Sequence, residues 1–326
     1  MREYKLYKGD CLDIMKDIPD KSIDLILCDL PYGTTACTWD AIIPFEPLWE
    51  QYGRVVKDNG TIVLFSSQPF TTKLISSKMD WFRYEWVWQK NNCSNFQLAS
   101  IQPLKVHESI LVFYKDIVQT VFADLLKDVM VKKGITQSEL SRLELSKNGN
   151  PTGWVSNKLS GKQIPTREQW KKLCDYLGID DEYDDLLSQM VKHTYNTQAT
   201  RCSKECSNKR KAGSLGHLGS IADTYEQRYE NYPRSIISFD RVSQPLHPTQ
   251  KPTDLLEYLI KTYTNEGETV LDNCMGSGST GVACMNTNRD FIGIELDDKY
   301  FEIAEKRIAE AKANSAYKRG GFDDLL

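Results

Sequence analysis

The sequence lacks any long run of apolar residues. No stretch approaches the roughly 18 to 20 residues that a membrane-spanning helix needs. The first residues, Met1 to Lys5, lead into no apolar core of the kind that a secretory signal requires. We therefore expect a soluble chain with no membrane partner.

The sequence also lacks an excess of positive charge. It contains 41 Lys and Arg residues against 45 Asp and Glu residues, for a formal net charge of −4. This balance excludes a uniformly basic protein that coats nucleic acid along its whole surface. Any surface that binds nucleic acid must be local.

The cysteines lack the pattern of a disulfide framework. There are nine of them, an odd number, and their spacing is not that of a small secreted scaffold. A reducing, cytoplasmic setting is expected. Cys202 and Cys206 have His193 and His217 nearby but no second cysteine pair, so no metal site is predicted.

The order of apolar patterns predicts a core that is interrupted in the chain. At about 150 residues per domain, 326 residues correspond to two domains or to one domain with an insertion. Patterns typical of alternating strands and helices occupy residues 1–116 and 245–326, which we interpret as one α/β core. Residues 117–190 are predicted to form a helical insertion, and residues 191–244 a basic, loop-rich segment.

A glycine-rich loop lies in the second part of this core. Gly276-Ser-Gly278-Ser-Thr-Gly281 follows a strand that ends at Asp272 and opens a helix. Glu295 ends the next strand, where a carboxylate can accept hydrogen bonds from ribose hydroxyls. The pattern predicts an adenosine-containing cofactor, and a nicotinamide dinucleotide fits it as well as S-adenosylmethionine does.

The segment Asp29-Leu30-Pro31-Tyr32 indicates a chemistry that distinguishes these cofactors. It follows the apolar run 23–28, a predicted buried strand, at the sheet edge where α/β proteins bind ligands. An exocyclic amino group is a poor nucleophile, and Asp29 together with the Leu30 carbonyl can accept its two hydrogens. Pro31 would fix the turn, and Tyr32 would stack on a flipped base. A simple Pro-containing turn is the alternative.

Three motifs together resemble the β-class amino DNA methyltransferases. They are Asp29-Leu-Pro-Tyr32, His247-Pro-Thr-Gln-Lys-Pro252 and Asp272-Asn-Cys-Met-Gly-Ser-Gly278, in the permuted order of that family. The resemblance implies a Rossmann-like α/β methyltransferase fold with a mixed, mostly parallel sheet. It also implies S-adenosyl-L-methionine as cofactor and N6-adenine methylation of double-stranded DNA. A Ser in place of Asp29 is commoner in N4-cytosine enzymes, which remain the alternative.

The resemblance also implies roles for individual residues. Asp29, Leu30, Pro31 and Tyr32 would contact the target base, and Glu295 would hold the cofactor ribose. The remaining cofactor contacts it implies are Asp10 and Cys11 at the adenine, Thr249 and Lys251 before the cofactor helix, and Asp272, Gly276 and Gly278 near the methionine moiety. Lys251 is a candidate partner of the methionine carboxylate. Asn273-Cys274 replaces the Pro-Phe usual in the family, so an aromatic contact to the cofactor is missing or replaced.

The helical insertion resembles the helix-turn-helix domains of phage repressors. Residues 136–145 would form its second helix and residues 154–159 its recognition helix, with Ser156, Asn157 and Lys158 facing DNA. The link 146–153 is longer than the usual turn, and a helical packing or dimerisation insert is the alternative. A second candidate DNA surface is basic: Arg201, Lys204, Lys209, Arg210 and Lys211. A solvated loop is the alternative there.

The leading hypothesis is thus a site-specific DNA adenine-N6 methyltransferase. A homodimer and a separate restriction endonuclease are its expected partners besides DNA. A nicotinamide-dependent oxidoreductase would leave the Asp29 and His247 segments without a role. A repressor-like regulator on an inactive methyltransferase core is a further alternative, suggested by Asn273-Cys274.

Overall fold

The structure is a computed structural model that describes most of the chain. The described residues are 2–34, 40–94, 96–115, 120–143, 153–161, 163–189, 193–209 and 224–323. They fall into two compact units. The first comprises residues 1–113 and 194–326, and the second comprises residues 114–193.

The described residues of the first unit form an eight-stranded sheet. Its strand order is β1-β10-β9-β2-β3-β5-β4-β8. The strands are β1 (Tyr4–Lys8), β2 (Ile23–Cys28), β3 (Val56–Ser66), β4 (Phe82–Ser94), β5 (Lys105–Phe113), β8 (Ile236–Ser238), β9 (Thr269–Asp272) and β10 (Asp290–Glu295). Neighbouring strands are parallel except on either side of β5, which runs antiparallel to both β3 and β4. The expected α/β class with a mixed, mostly parallel sheet is confirmed.

Helices connect these strands. They are α1 (Cys11–Ile14), α2 (Phe45–Val55), α3 (Phe70–Ser77), α9 (Thr253–Tyr263), α10 (Ser279–Thr287) and α11 (Asp298–Asp323). The α2 helix buries Leu48, Trp49 and Tyr52 on one face, because its apolar residues recur at helical spacing. Every residue of β2 is buried, as expected for a central strand covered on both faces.

The sheet has its topological switch point between β2 and β9. From β2 the chain passes through α2 to β3 on one side, whereas from β9 it passes through α10 to β10 on the other. The connections therefore diverge at the carboxyl ends of β2 and β9, and a crevice opens there. Because β5 is antiparallel to β3, its first residues lie at this same edge. The edge thus combines residues from both terminal parts of the chain with the start of β5.

The second unit is helical. It contains α4 (Thr120–Lys133), α5 (Gln137–Ser141), α6 (Trp154–Leu159), α7 (Arg167–Leu177) and α8 (Tyr183–Gln189). Capping boxes start α5 at Thr136 and α7 at Thr166, as the Thr-x-x-Glu and Thr-x-x-Gln patterns predict. Phe122 and Trp170 pack edge to face in its core, with ring centroids 4.9 Å apart.

Two details differ from the sequence prediction. Residues 136–145 were expected to form one helix, but α5 spans only Gln137–Ser141, and residues 144–152 lie outside the described range. The segment 191–244 was expected to be basic and loop-rich. It contains an antiparallel pair, β6 (Thr200–Lys209) and β7 (Thr224–Glu230), and β8, whose buried Ile237 completes the edge of the large sheet beside β4.

No helix among the described residues combines the length and the apolar content that crossing a membrane would need.

Candidate active site

A cavity of about 340 Å³ lies in the crevice at the switch point. The Asp29–Tyr32 segment lines it at the end of β2, and the glycine loop lines it between β9 and α10. The predicted site residues in its wall are Asp10, Cys11, Asp29, Leu30, Pro31, Tyr32, Thr249, Lys251, Asp272, Gly276 and Glu295. Residues more than 200 positions apart in the chain therefore face one space.

Both carboxylate oxygens of Asp29 have partners. The Tyr32 hydroxyl donates to Oδ1 at 2.6 Å, and the Lys251 ammonium donates to Oδ2. The side chains of Asp29 and Lys251 are 17% and 8% exposed, so this ion pair is largely removed from water. Burial in a low-dielectric site makes such a pair depend on its geometry.

The turn after Asp29 is anchored by a second aspartate. Asp40 is 7% exposed and accepts three backbone N–H bonds: Oδ1 from Tyr32 at 2.7 Å and Gly33 at 2.9 Å, and Oδ2 from Thr34 at 2.9 Å. Charge-assisted bonds of this kind fix the path of a loop. Asp40 therefore holds the turn at residues 32–34 in place.

Tyr32 lies against an aromatic neighbour. Its ring stacks on Phe70 with centroids 5.0 Å apart and an angle of 25° between the planes. Burial raises the pKa of its hydroxyl well above the usual value, so the group remains a hydrogen-bond donor to Asp29.

Glu108, at the start of β5, extends the ion pair into a network. Lys90 donates to Glu108 Oε1, and Lys251 Nζ lies 3.6 Å from Glu108 Oε2. Burial would raise the pKa of Glu108, but the two ammonium groups outweigh it and lower the pKa. Burial, with a smaller contribution from Glu108, raises the pKa of Asp29 even though Lys251 opposes the shift.

This arrangement changes the interpretation of Lys251. Burial alone would lower its pKa, but Asp29 and Glu108 outweigh burial and raise it, so the side chain is a buried ammonium. Its charge is engaged by carboxylates of the catalytic part of the site. The structure therefore disfavours the expected pairing of Lys251 with the methionine carboxylate.

The cofactor part of the cavity centres on Glu295. Its Oε2 accepts from the Gly276 N–H at 2.8 Å, and its Oε1 accepts from the Asp297 N–H at 2.8 Å. Each carboxylate oxygen keeps a further lone pair for a ligand hydroxyl. Gly276 has a φ of +51°, and a Cβ there would lie 3.5 Å from the His247 ring in the cavity wall.

Gly278 has a different environment from Gly276. It does not line the cavity. A Cβ at Gly278 would lie 2.8 Å from the Ala304 Cβ and 3.0 Å from the Ala304 Cα, and its φ is +77°. The structure thus disfavours the predicted direct cofactor contact, because this glycine allows α10 to pack closely on α11.

The floor of the cavity contains the unusual Asn273-Cys274 pair. The buried Tyr52 hydroxyl donates to Asn273 Oδ1 at 2.7 Å, so Asn273 is part of the core packing. Hydrogen bonding with Cys274, followed by burial, raises the pKa of the Cys11 thiol, and burial raises the pKa of Cys28 to about 12. These cysteines are neutral thiols, and Asn273 and Cys274 give this part of the cavity wall small polar groups.

Burial shifts the pKa values of Asp272 and His247 away from their ordinary ranges. Burial raises the pKa of Asp272 to about 6, although the Thr280 hydroxyl donates to its Oδ2 at 2.7 Å. Burial, followed by the Lys251 charge, lowers the pKa of His247 to about 4. His247 Nδ1 lies 3.1 Å from the exposed Thr249 hydroxyl.

Asp10, another predicted cofactor residue, caps α1, because its side chain accepts a hydrogen bond from the Leu12 N–H at 2.8 Å.

The candidate DNA-binding residues lie apart from this cavity in the sequence. Ser156 is exposed and Asn157 is half-buried, but Lys158 is 5% exposed and donates to the Ile164 carbonyl at 2.7 Å. A DNA contact by Lys158 is therefore disfavoured. Arg201 is exposed on β6. The side chains of Lys204 and Lys209, and all of Arg210 and Lys211, lie outside the described residues.

A protein-family model described as DNA methylase matches residues 23–306 of the 326-residue chain. The chain belongs to this family. The expected membership of the amino DNA methyltransferases is thereby confirmed, and the cofactor of this DNA methylase is S-adenosyl-L-methionine. The helix-turn-helix interpretation of the insertion stays a prediction.

Individual relatives match this DNA methylase over different lengths. The type II methyltransferase M.HinfI of Haemophilus influenzae is 25% identical over 311 residues, which cover 95% of this chain and 69% of that protein. M2.DpnII of Streptococcus pneumoniae is 49% identical over 69 residues, covering 21% of this chain and 26% of that protein. The DNA adenine methyltransferase YhdJ of Escherichia coli is 36% identical over 93 residues, covering 27% and 32%. The matched segment is less than two thirds of the length of M2.DpnII and of YhdJ.

Solved structures of similar proteins include an M1.HpyAVI–SAM complex. It is 21% identical, covers 93% of this chain and 99% of its own, and has a TM-score of 0.48. The cytosine-N4-specific PvuII DNA methyltransferase is 12% identical, covers 96% and 92%, and has a TM-score of 0.49.

Sequence reasoning gave no role to four residues of this site. Asp40, Lys90 and Glu108 belong to no motif identified in the sequence, and His247 was noted only as part of a motif. The His107-Glu108 pair at the start of a strand was a usable signal for Glu108. Recognising it required knowledge that β5 runs antiparallel and so begins at the catalytic edge.

Proposed function

We propose that this DNA methylase transfers a methyl group directly to the exocyclic N6 of an adenine flipped out of double-stranded DNA. The observation that supports this most strongly is that Asp29 and Gly276 line the same cavity. One part of the cavity then holds the methyl donor, and the other holds the amino group that accepts the methyl.

Asp29 and Leu30 carry the chemistry of the acceptor side in this proposal. The lone pair of an exocyclic amino nitrogen is delocalised into the ring, so the nitrogen must be held and oriented. The Asp29 carboxylate accepts one amino hydrogen and the Leu30 carbonyl accepts the other. Pro31 restricts the turn, and Tyr32, backed by Phe70, offers an aromatic surface to the base. The rate then comes from alignment and electrostatics.

The cavity residues fit S-adenosyl-L-methionine, which supplies an electrophilic methyl group on a sulfonium when bound. Glu295 retains lone pairs for the ribose hydroxyls. Asp10 and Cys11 flank the region proposed for the adenine, and the start of α10, with Ser279 and Thr280 in the cavity wall, offers backbone N–H groups to a carboxylate. Asp272 holds this turn through the Cys274 N–H at 3.1 Å.

Adenine is proposed as the target base because the catalytic segment begins with an aspartate at position 29. The local similarity to YhdJ, a DNA adenine methyltransferase, is consistent with this choice. N4-cytosine methylation is the alternative, since the same acceptors suit any exocyclic amino group. A nicotinamide-dependent oxidoreductase is disfavoured, because it gives no role to the buried Asp29–Lys251 pair.

The DNA-binding surface remains a proposal as well. Ser156 and Asn157 of α6 and the basic residues Arg201, Lys204, Lys209, Arg210 and Lys211 are its candidates. A homodimer, a cognate restriction endonuclease and a cytoplasmic setting stay predictions.

Transfer of labelled methyl from S-adenosylmethionine to duplex DNA tests the proposal. Nucleoside analysis of the product should give N6-methyladenine, and N4-methylcytosine would instead support the alternative. Asp29→Ala should abolish transfer while leaving cofactor binding, measured by calorimetry, within about twofold of wild type. Asp80→Ala, which changes a side chain that is 66% exposed, is the matched control. Methylation by Asp29→Ala at the wild-type rate would contradict the role of Asp29.

A further inference from the structure

Asp29 has no oxygen free of a protein partner before the target base arrives. Tyr32 donates to Oδ1 and Lys251 donates to Oδ2. A carboxylate that is neutralised by a close ammonium is a weaker hydrogen-bond acceptor for an amino group. An enzyme that uses Asp29 to orient the target nitrogen therefore gains if the ammonium can move aside.

Glu108 provides a place for that ammonium. Its Oε1 accepts from Lys90, but its buried Oε2 has no hydrogen-bond partner among the described residues. Lys251 Nζ lies 3.6 Å from this oxygen, which is too long for a hydrogen bond but within range of the charge. A buried carboxylate oxygen without a hydrogen bond is costly, so it requires an explanation.

The surroundings of Lys251 allow a short movement between the two carboxylates. A shift of roughly 0.8 Å would bring its nitrogen to a normal charge-assisted distance of about 2.8 Å from Glu108 Oε2. The Phe65 ring centroid lies 5.0 Å from the ammonium and supports it by a cation–π contact. Because the lysine would remain paired throughout, no buried charge is left without a partner.

We propose that Glu108 is a positioning residue that takes the Lys251 ammonium from Asp29 when the target amino group binds. This inference rests on the proposed function and deepens it. Asp29 then faces the amino group as a freed carboxylate, while Lys251 stays in the site bound to Glu108. Glu108 acts through Lys251 and does not itself touch the base.

The charged and titratable groups around this network determine the expected pH behaviour. Around Asp29 these are Tyr32, Lys251, Glu108, Cys28 and Asp272. Around Glu108 they are Lys251, Lys90, Lys105, Asp29 and Tyr32. Lys251 also faces His247, whose pKa of about 4 it helps to lower. The negative charge of Glu108 raises the pKa of Asp29, and the positive charge of Lys251 lowers it.

Glu108→Gln is the first test. It removes a like charge from Asp29 and leaves Lys251 with Asp29 alone. We expect the plateau of the single-turnover methyl-transfer rate to fall about tenfold, since Asp29 remains clamped. We also expect the acidic limb of the pH profile to move to lower pH, because both changes stabilise ionised Asp29. Cofactor affinity, measured by calorimetry, should stay within about twofold.

Lys90→Met is the second test, and it should shift the acidic limb of the pH profile in the opposite direction. Without Lys90, Glu108 draws Lys251 more strongly, so the pKa of Asp29 rises and the acidic limb moves to higher pH. Glu85→Gln is the matched control, because Glu85 is an exposed residue of the neighbouring strand that accepts from Ser109. It should leave both the plateau and the limb unchanged.

Opposite shifts of the limbs, together with a plateau that falls in Glu108→Gln but not in Lys90→Met, support the inference, since removal of a charge alone would shift the limbs and leave both plateaus in place. Limbs that stay in place or move in the same direction, or an unchanged plateau in Glu108→Gln, overturn it. If Glu108→Gln does not fold, as judged by thermal unfolding, Lys90→Met decides: a higher limb with an undiminished plateau supports the inference, and a reduced plateau or an unmoved limb overturns it. If the wild-type protein transfers no methyl group to DNA, the proposed function fails. If it transfers normally and Glu108→Gln equals it at every pH, only the role of Glu108 fails.

Discussion

The two glycines of the loop after β9 should respond differently to the same substitution. Gly276→Ala adds a methyl group directed at the His247 ring in the cavity wall, with contacts of 3.5 to 3.7 Å. Gly278→Ala adds a methyl group directed into α11, with contacts of 2.8 Å to the Ala304 Cβ and 3.1 Å to Ile308. We therefore expect the first variant to lose cofactor affinity and the second to lose stability.

The structure sets the sizes of these effects. Both positions have positive φ, so an alanine costs about 1 to 2 kcal/mol of strain at either site. At Gly276 the added contacts are ordinary van der Waals distances and contribute no further loss of stability. At Gly278 the overlap with α11 adds about 1 to 3 kcal/mol of overpacking, for a total of about 2 to 5 kcal/mol.

Chemical denaturation without cofactor, followed by calorimetric titration with S-adenosylmethionine, separates the two effects. Gly276→Ala should lose only about 1 to 2 kcal/mol of unfolding free energy, from backbone strain, and bind the cofactor about tenfold or more weakly. Gly278→Ala should unfold at a clearly lower denaturant concentration than either wild type or Gly276→Ala. Equal loss of stability in both variants, or a fully stable Gly278→Ala, would refute the assignment of Gly278 to helix packing.

Three further outcomes are expected. Burial holds the pKa of Asp272 at about 6, so its native carboxyl keeps its proton longer than the unfolded chain does, and its contribution to stability is lost as pH rises from about 4 to 6. Asp272→Asn lacks this titrating carboxyl, so its unfolding free energy relative to that of wild type should rise by up to about 3 kcal/mol between about pH 4 and pH 6. A difference that does not change with pH would argue against a raised pKa of Asp272. Tyr32→Phe keeps the stacking on Phe70 but removes a hydrogen bond that lowers the pKa of Asp29. The methyl-transfer rate should fall about tenfold, and the acidic limb of its pH profile should move to higher pH. An unchanged limb would contradict this role of Tyr32. Trp170→Ala should destabilise the helical unit by about 3 to 5 kcal/mol in thermal unfolding, because the Trp170 side chain is fully buried. The control Val131→Ala, at a position that is 81% exposed, should cost under about 0.5 kcal/mol. Similar losses of stability in both variants would contradict the core described for this unit.

The parts of the fold that depend on local pattern were predictable from the sequence. The buried run at residues 23–28, the glycine loop and both capping boxes rest on burial, backbone freedom and side-chain hydrogen bonds within a few residues. Strand β8 was missed, because a three-residue edge strand has too little periodicity to recognise. Its pairing with β4 is a property of the completed sheet.

The same distinction applies to the site. Asp29 directly follows β2 and Glu295 ends β10, so their place at the carboxyl edge follows from strand direction alone. The partner of Lys251 could not be predicted in this way, because the sequence does not show which of several carboxylates a buried lysine contacts. Gly278 was assigned to the cofactor on motif grounds, whereas its environment is set by α11, a helix that begins 20 residues later.

The position of β2 in the sheet has a consequence for synthesis on the ribosome. One of its neighbours, β3, follows within the first 66 residues, but the other, β9, emerges only after residue 268. Until then, β9 cannot pair with one hydrogen-bonding edge of β2, a strand whose residues are all buried in the completed sheet, and an unpaired edge of this kind is a recognised aggregation hazard. Nascent or truncated chains that stop short of β9 therefore depend on chaperone protection, and the helical insertion lengthens the interval during which they need it.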